Sequence, residues 1–540
     1  MPTLDWIGKD KVINHHRDVP FRVLEEKYTY NAEHSDNMII HGDNLSALKS
    51  LLPKYEGRIK CIYIDPPYNT GNEGWVYNDN VNDPRIKEWL GNVVGAESVD
   101  FSRHDKWLCM MYPRLKLLHK LLAEDGVIFI SIDDNELYNL KYICDEIFGI
   151  NNYVDKITVI VKPEGRRYGF FAKTHEYILV YAKKKDLLKL NEIEISGKEY
   201  NYYDDVGGFN LTGLRNRNVR AFNSINRPNL RYPFYVDTEN PDDNNLLKVS
   251  VFPIDGYVEV WASTVDGLES VWRWGKETAN RDINKLCAYK GKDGEIRIFQ
   301  KDRKLTETAK TVWIDKRFSS IVGTREVKDI FGKAEFDFPK PYNLIKQIIE
   351  IGTDEDTIIL DSFAGSGTTA HAVLDMNKKD GGKRKFILIE MLEYADSITA
   401  ERVKRVISGY GEGEKAVEGT GGDFTFYDLG EMLLLPDGNL NENVGADKIR
   451  EYVYFMETKE PIMPGSDNDE PYFMGVCRDT AYYFYYEKDA ATTLSIDFLP
   501  QIKKKAEGYV IYADMCTIDK SDLKKWNIIF KKIPRDITRL

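Results

Sequence analysis

Apolar positions between residues 37 and 66 form two short runs with an amphipathic stretch between them. "NMIIHGD" is apolar enough for a buried strand and ends on Asp43. In "NLSALKSLLPKY", Leu45, Leu48, Leu51 and Leu52 recur at helical spacing, and Asp43 stands where an N-cap belongs. "IKCIYID" then reads as a second strand, ending on Asp65. This alternation predicts an α/β sheet with parallel strands, whose carboxyl ends are where ligands gather. A long helical pattern follows in "DKWLCMMYPRLKLLHKLLAEDG", with Gly126 as its expected stop. Next come the strand "VIFISID", the helix "NELYNLKYICDEIFG" and the strands "KITVIV" and "EYILVYAKK".

From about residue 186 to 335 the helical period fades, and tyrosine, asparagine and tryptophan become frequent. Short alternating strands are expected there, as a separate insert. The α/β pattern returns with "NLIKQIIEIG", "DTIILDSFAGSGTTAHAVLDMNK", "RKFILIEM" and the helix "ADSITAERVKRVISG". The expected organisation is an N-terminal extension (1–36), a first α/β half (37–185), the insert (186–335) and a second α/β half (336–410). A glycine-rich linker (411–423) and a small strand-rich or α/β C-terminal domain (424–540) complete it.

Composition changes this picture little. Hydrophobic residues at 42% and charged residues at 30% are ordinary for a globular chain of 540 residues. No basic start followed by an apolar run suggests a signal peptide, and no stretch is apolar enough to span a membrane. The six scattered cysteines fit reduced thiols, and a cytoplasmic location is expected. The eight histidines form no H-E-x-x-H, so no metal site is expected.

The formal net charge of −12 speaks against a nucleic-acid partner only on average. Between Val206 and Val236 there is no acid and no lysine, yet Arg215, Arg217, Arg220, Arg227 and Arg231 all fall there, among asparagines and aromatics. Arginine and asparagine are the side chains that pair with base edges, so this segment is the candidate DNA contact; a solvated loop is the rival reading.

Two stretches carry candidate chemistry. In "DSFAGSGTTA" a strand ends on Asp361 and turns through Phe363, Gly365, Gly367 and Thr368 into a helix, and Glu390 ends the next strand. Glycines let a ligand approach the backbone at a helix start, and a carboxylate after the following strand suits ribose hydroxyls. The pattern fits any nucleoside cofactor; the lysine of a phosphate-cradling P-loop is missing. In "IDPPYNTGN" a strand ends on Asp65, two prolines stiffen the next residues, and Tyr68 presents a ring.

Asp65-Pro66-Pro67-Tyr68 resembles the catalytic motif of amino-methylating DNA methyltransferases, "DSFAGSGTT" resembles their S-adenosylmethionine motif, and "FPKP" (338–341) resembles their remaining cofactor element. The order, catalytic motif first, insert next and cofactor motif last, is that of the family's circularly permuted β class. "YIDPPYNTGN" and "RKFILIEM" further resemble the modification subunits of Type III restriction systems, the resemblance covering most of residues 37 to 410.

The resemblance implies a doubly wound, Rossmann-like methyltransferase sheet, with a target recognition domain as the insert. It also implies transfer of a methyl group from S-adenosylmethionine to adenine N6 in double-stranded DNA, with the target base flipped out of the helix. Tyr68 would stack on that base, while the Asp65 carboxylate and the Pro66 carbonyl accept its amino hydrogens. Asp361, Phe363, Gly365, Gly367, Thr368 and Glu390 would hold the cofactor, with Asp43 at its adenine and Lys340 at its carboxylate. A plain helix cap is the rival reading of Asp43, and a surface lysine that of Lys340. Arg166 and Arg167 are candidate phosphate contacts. A restriction or helicase subunit and a second copy of the chain are the partners implied. Cytosine-N4 methylation, a non-catalytic DNA-binding subunit and a nucleotide-dependent oxidoreductase are the alternatives; the last leaves Asp65 to Tyr68 without a purpose.

Overall fold

The computed structural model describes residues 3–70, 103–168, 170–195, 199–462 and 470–535, together with 88, 91 and 92. The chain divides into two compact units, residues 192–308 and all the rest.

The larger unit is built on a ten-stranded sheet. Its strands are β1 (Arg22–Tyr30), β2 (Met38–His41), β3 (Ile59–Ile64), β4 (Leu122–Ile132), β5 (Tyr153–Ile160), β6 (His175–Ala182), β7 (Val312–Trp313), β8 (Ile358–Asp361), β9 (Lys385–Glu390) and β10 (Phe424–Met432). Across the sheet they lie in the order β1-β10-β2-β9-β8-β3-β4-β6-β5-β7. From β10 to β4 all neighbours are parallel, whereas β6 runs antiparallel to both β4 and β5. The central strands are apolar along their length: Ile39, Ile40, Cys61, Ile62, Ile64, Ile128, Ile130, Leu360, Ile387 and Ile389 are fully buried. That is the signature of parallel strands covered on both faces.

The connecting helices are α1 (Asn44–Tyr55), α2 (Arg103–Leu121), α3 (Leu137–Phe148), α4 (Ser320–Phe331), α5 (Tyr342–Gly352), α6 (Thr368–Asp380) and α7 (Glu401–Ser408). In α1 the leucine stripe is buried, and Asp43 accepts from the Ser46 amide at 2.8 Å as its cap. Gly149 follows α3 as expected. Gly126 does not close α2. The helix ends at Leu121 and the chain passes straight into β4, where a Cβ on Gly126 would lie 2.9 Å from the Ile59 carbonyl oxygen.

Three boundaries differ from those the sequence suggests. Segment 1–36 supplies β1, which pairs antiparallel with β10, from Arg22 opposite Met432 to Tyr30 opposite Phe424. β10, expected in a C-terminal domain, sits within the main sheet beside β2. The glycine-rich stretch between them folds partly as a small hairpin, Gly409–Tyr410 with Val417–Glu418. Beyond β10 lie a helix at Ala446–Thr458 and a four-stranded sheet around Tyr483, Ile511 and Phe498. No helix among the described residues is long and apolar enough to cross a membrane.

The smaller unit is strand-rich. An antiparallel sheet joins residues 202–204, 207–213, 296–302 and 286–290, and a second joins 249–250, 234–236 and 258–260. Its core gathers Leu214, Phe234, Val236, Leu247, Trp272 and Ile298.

Candidate active site

Because β2, β9, β8, β3 and β4 are parallel, their carboxyl ends share one edge of the sheet. Each strand delivers an acid there: Asp43, Glu390, Asp361, Asp65 and Asp133. The two motifs become neighbours at the β8–β3 junction, where Leu360 pairs with Ile62 although the residues are far apart in sequence.

Asp65 through Asn69 are buried. The prolines fix the turn after β3, Trp107 of α2 donates from Nε1 to the Pro67 carbonyl at 2.6 Å, and Asn69 ends the turn at φ 59°, a conformation asparagine tolerates. Asn69 Nδ2 donates to the Arg103 carbonyl at 3.2 Å and to Glu136 Oε1. Glu136 is itself fully buried and meets His104 Nδ1 at 2.7 Å. The segment is therefore held from α2 and from the start of α3. The rest of "NTGN", from Gly71 on, lies outside the described residues, as do the side chains of Arg166 and Arg167.

Lys340 sits at the centre of the acids. Its Nζ donates to Tyr68 Oη at 2.6 Å and to Glu176 Oε2 at 2.9 Å, and lies 3.2 Å from Asp65 Oδ1. Tyr68 Oη also donates to Glu176 at 3.2 Å. Asp65 Oδ1 is buried and, despite the nearby charge, receives no aligned hydrogen bond. Burial raises the Asp65 carboxyl above its ordinary range, with the Lys340 ammonium opposing. Burial alone would lower Lys340, yet Asp65 and Glu176 hold it above its usual value. Lys340 thus engages the Asp65–Tyr68 segment, which neither expectation for it anticipated. The turn that carries it is packed tightly: a Cβ on Gly323 of α4 would collide with the Pro339 carbonyl oxygen.

The glycine turn is the second half of the site. Asp361 accepts from the Phe363 amide at 3.1 Å and from Thr369 Oγ1 at 2.5 Å, and Glu390 accepts from the amides of Gly365 at 2.8 Å and Leu392 at 3.1 Å. Among the described residues neither acid has a cationic partner, and burial pushes both up to about 7. Gly365 and Gly367 have φ of 53° and 80°, which favour glycine, and a Cβ on Gly367 would crowd the Thr399 carbonyl at 3.0 Å. Arg402 of α7, fully buried, donates to Ser366 Oγ and Thr368 Oγ1 at 2.8 Å each.

Two narrow cavities flank Phe363. One is lined by Asp65, Lys340, Asp361, Ser366 and Thr368, the other by Asn44, Pro67, Arg114, Ile389 and Glu390. Asp43 lines neither. Its oxygens cap α1 and face Arg114 Nη2 at 3.2 Å, so its place is that of a helix cap, and Asn44 is the residue that reaches the cavity. Glu176, Trp107, Asn44, Arg114, Glu136 and Arg402 are not legible in the sequence. They come from five different places in the fold, Trp107 and Arg114 both from α2, with no local motif; an acid at the start of the apolar strand "HEYILVYA" is the only faint signal.

Within the smaller unit Arg217, Arg220 and Arg227 are exposed and Arg215 is half-buried. Arg231 is a correction. Its guanidinium donates to the carbonyls of Ala262 at 2.5 Å and Ser270 at 2.8 Å and pairs with Glu269, so it ties its own unit together.

The DNA methylase family model matches residues 59–401, spanning both motifs and the insert. The chain belongs to that family. Among curated relatives of this DNA methylase, the EcoPI Mod subunit of a Type III restriction-modification enzyme from Escherichia phage P1 is 37% identical over 416 residues. That match covers 72% of this chain and 63% of the subunit. The Type II methyltransferase M.KpnI of Klebsiella pneumoniae is 35% identical over 371 residues, covering 68% of this chain and 84% of that protein. The StyLTI Mod subunit of Salmonella typhimurium is 33% identical over 434 residues, covering 75% and 62%. The chain thus spans somewhat under two thirds of the Mod subunits it matches.

Proposed function

We propose that this chain is a sequence-specific DNA methyltransferase that moves a methyl group from S-adenosylmethionine to the N6 amino group of an adenine flipped out of double-stranded DNA. Its setting would be a restriction-modification system, alongside a restriction or helicase subunit and as one copy of a pair. The observation that carries the reading is Asp65: a buried carboxylate, fixed by two prolines, paired with Lys340 and lining the cavity beside Phe363.

The residues around Phe363 fit the cofactor. Asp361 and Glu390 are buried acids without cationic partners among the described residues, and S-adenosylmethionine brings an ammonium, ribose hydroxyls and a positive sulfur to such a place. When bound it supplies an electrophilic methyl group. Asp361 and Thr368 would face its amino-acid end, Glu390 its ribose, and Asn44 its adenine. Phe363, Gly365 and Gly367 would shape the turn around it.

An exocyclic amine is a poor nucleophile because its lone pair is delocalised into the ring. Asp65 and the Pro66 carbonyl would accept its two hydrogens, drawing the nitrogen toward tetrahedral geometry and freeing the lone pair. Trp107, gripping the adjacent Pro67 carbonyl, keeps the acceptors aimed, which is preorganised electrostatics rather than covalent catalysis. Asp65, raised by burial, is suited to take the proton the methylated nitrogen releases and pass it to solvent. Lys340 and Glu176 would hold the Tyr68 ring where the flipped base stacks.

The test is methyl transfer from labelled S-adenosylmethionine to unmethylated genomic DNA, with the digested nucleosides identified, for wild type and Asp65→Ala. N6-methyladenine made by wild type and absent with the variant is expected. N4-methylcytosine would move the target base and keep the site; no label in DNA would overturn the reading.

A further inference from the structure

Between β5 and β6 the chain leaves the sheet as a β-hairpin, Arg166–Tyr168 paired with Phe171–Lys173. Its stem is tight: Gly165 has φ 71°, a Cβ there would lie 2.6 Å from Ala172 Cβ, and the amides of Val161 and Lys162 both donate to the Thr174 carbonyl at 3.0 Å. Lys173 Nζ pairs with Asp134, just past β4, at 3.1 Å. The tip carries Phe170 and Phe171 at 103% and 86% exposure, two adjacent phenyl rings in water. Single exposed apolar residues need no explanation, but a pair on a braced protrusion does.

The hairpin's position is set by the sheet. β6 starts at His175, and its Tyr177 lies opposite Ile132 at the carboxyl end of β4, the edge where Asp65 sits. The next residue after His175 is Glu176, which holds Lys340 and Tyr68. At about 3.3 Å per residue an extended chain from Tyr177 to Phe171 would reach on the order of 20 Å past that edge. Residues 162–173 carry Lys162, Arg166, Arg167 and Lys173 against the single acid Glu164, in a chain whose overall charge is negative.

We infer that Phe170 and Phe171 enter the DNA base stack beside the flipped adenine, filling the gap it leaves. The inference rests on the base-flipping reading of the site. A flipped base leaves its neighbours unstacked; aromatic rings stack on bases of any sequence, and apolar wedges between base steps are an established way of holding a duplex distorted. A basic, aromatic-tipped hairpin beside the catalytic edge has the chemistry for that.

The test compares wild type with the double variant Phe170→Ala/Phe171→Ala on a duplex carrying the site mapped from methylated genomic DNA. The duplex is either fully matched or carries an abasic residue opposite the target adenine. On matched DNA the double variant should lose roughly tenfold or more in kcat/KM, in line with the value of base–aromatic stacking. On the abasic-opposed duplex, where the target is already unpaired, most of that loss should disappear. No loss, or the same loss on both duplexes, would overturn the inference. Independently of catalysis, the emission of a Phe170→Trp variant should be quenched by genomic duplex DNA. A signal that ignores DNA and follows protein concentration would mark the tip as a protein contact and also overturn it. If wild type transfers no methyl group while the quenching persists, the reading of the active site fails and the hairpin contact stands.

Discussion

Replacing Lys340 by methionine keeps the length of the side chain and removes the charge between two acids. Nζ lies 3.2 Å from Asp65 Oδ1 and 2.9 Å from Glu176 Oε2. At an effective dielectric near 20, the gross attractions are about 5 and about 6 kcal/mol. Desolvation offsets part of this, and removing one partner of a buried pair typically costs about 3–5 kcal/mol. The acids can recover part of that by binding a proton. Asp65 already titrates above its ordinary value because it is buried, and loss of the cation that opposes this raises it further.

The sign follows from linkage. A carboxyl whose folded pKa exceeds its unfolded value loses stability as pH rises from the unfolded pKa through the folded one. The variant's deficit in thermal midpoint should therefore grow as pH rises above the ordinary carboxylate range. The acidic limb of its methyl-transfer rate should move to higher pH, since only ionised Asp65 accepts an amino hydrogen well. In wild type, the raised Lys340 contributes stability that is fully present below about 10.5. A deficit that does not change with pH, with an unmoved acidic limb, would refute the assignment of Lys340 as the counter-charge of Asp65.

Three further outcomes are expected. Asp361 and Glu390 are pushed up to about 7 by burial, so the ligand-free protein should lose stability as pH rises from about 4 through 7. Over the same window S-adenosylmethionine should bind more tightly and release protons; calorimetry at pH 7 in buffers of different ionisation enthalpy would contradict this by finding no release. Trp107→Phe leaves the Pro67 carbonyl without its donor, at about 1–3 kcal/mol. It should lower kcat more than it raises the KM for S-adenosylmethionine, and a change in KM alone would count against it. Neutralising Arg217, Arg220 and Arg227 together should flatten the log–log salt dependence of DNA binding, by about 0.9 in slope for each phosphate that no longer meets an arginine. Arg231→Ala should instead lower the thermal stability of residues 192–308, since its guanidinium holds two carbonyls there.

What was legible in the sequence is what is encoded locally. The DPPY turn, the glycine turn and the capped leucine stripe of α1 each lie within a dozen residues, and the structure places both motifs at one edge of the sheet. What depends on distant pairing was not legible. β1 and β10 each read as an ordinary polar-apolar strand, and nothing in either names the other as partner. The same holds for side chains. Arg402 looks like one basic residue on an amphipathic helix, yet packing buries it under the glycine turn. Arg231 belonged by composition to an arginine cluster, and only the positions of Ala262 and Ser270 separate it from its neighbours.

The strand order also sets a problem for the growing chain. β3 is buried along its whole length and central, yet its neighbour β8 is translated roughly 300 residues after it. At ~5–20 residues per second, one edge of β3 stays open on the ribosome for about 15–60 seconds. An open apolar edge of that kind is a template for pairing with another nascent chain. Fragments that stop before Ile358 should therefore collect in the insoluble fraction and engage chaperones. Chains that reach β8 and β9 should escape both.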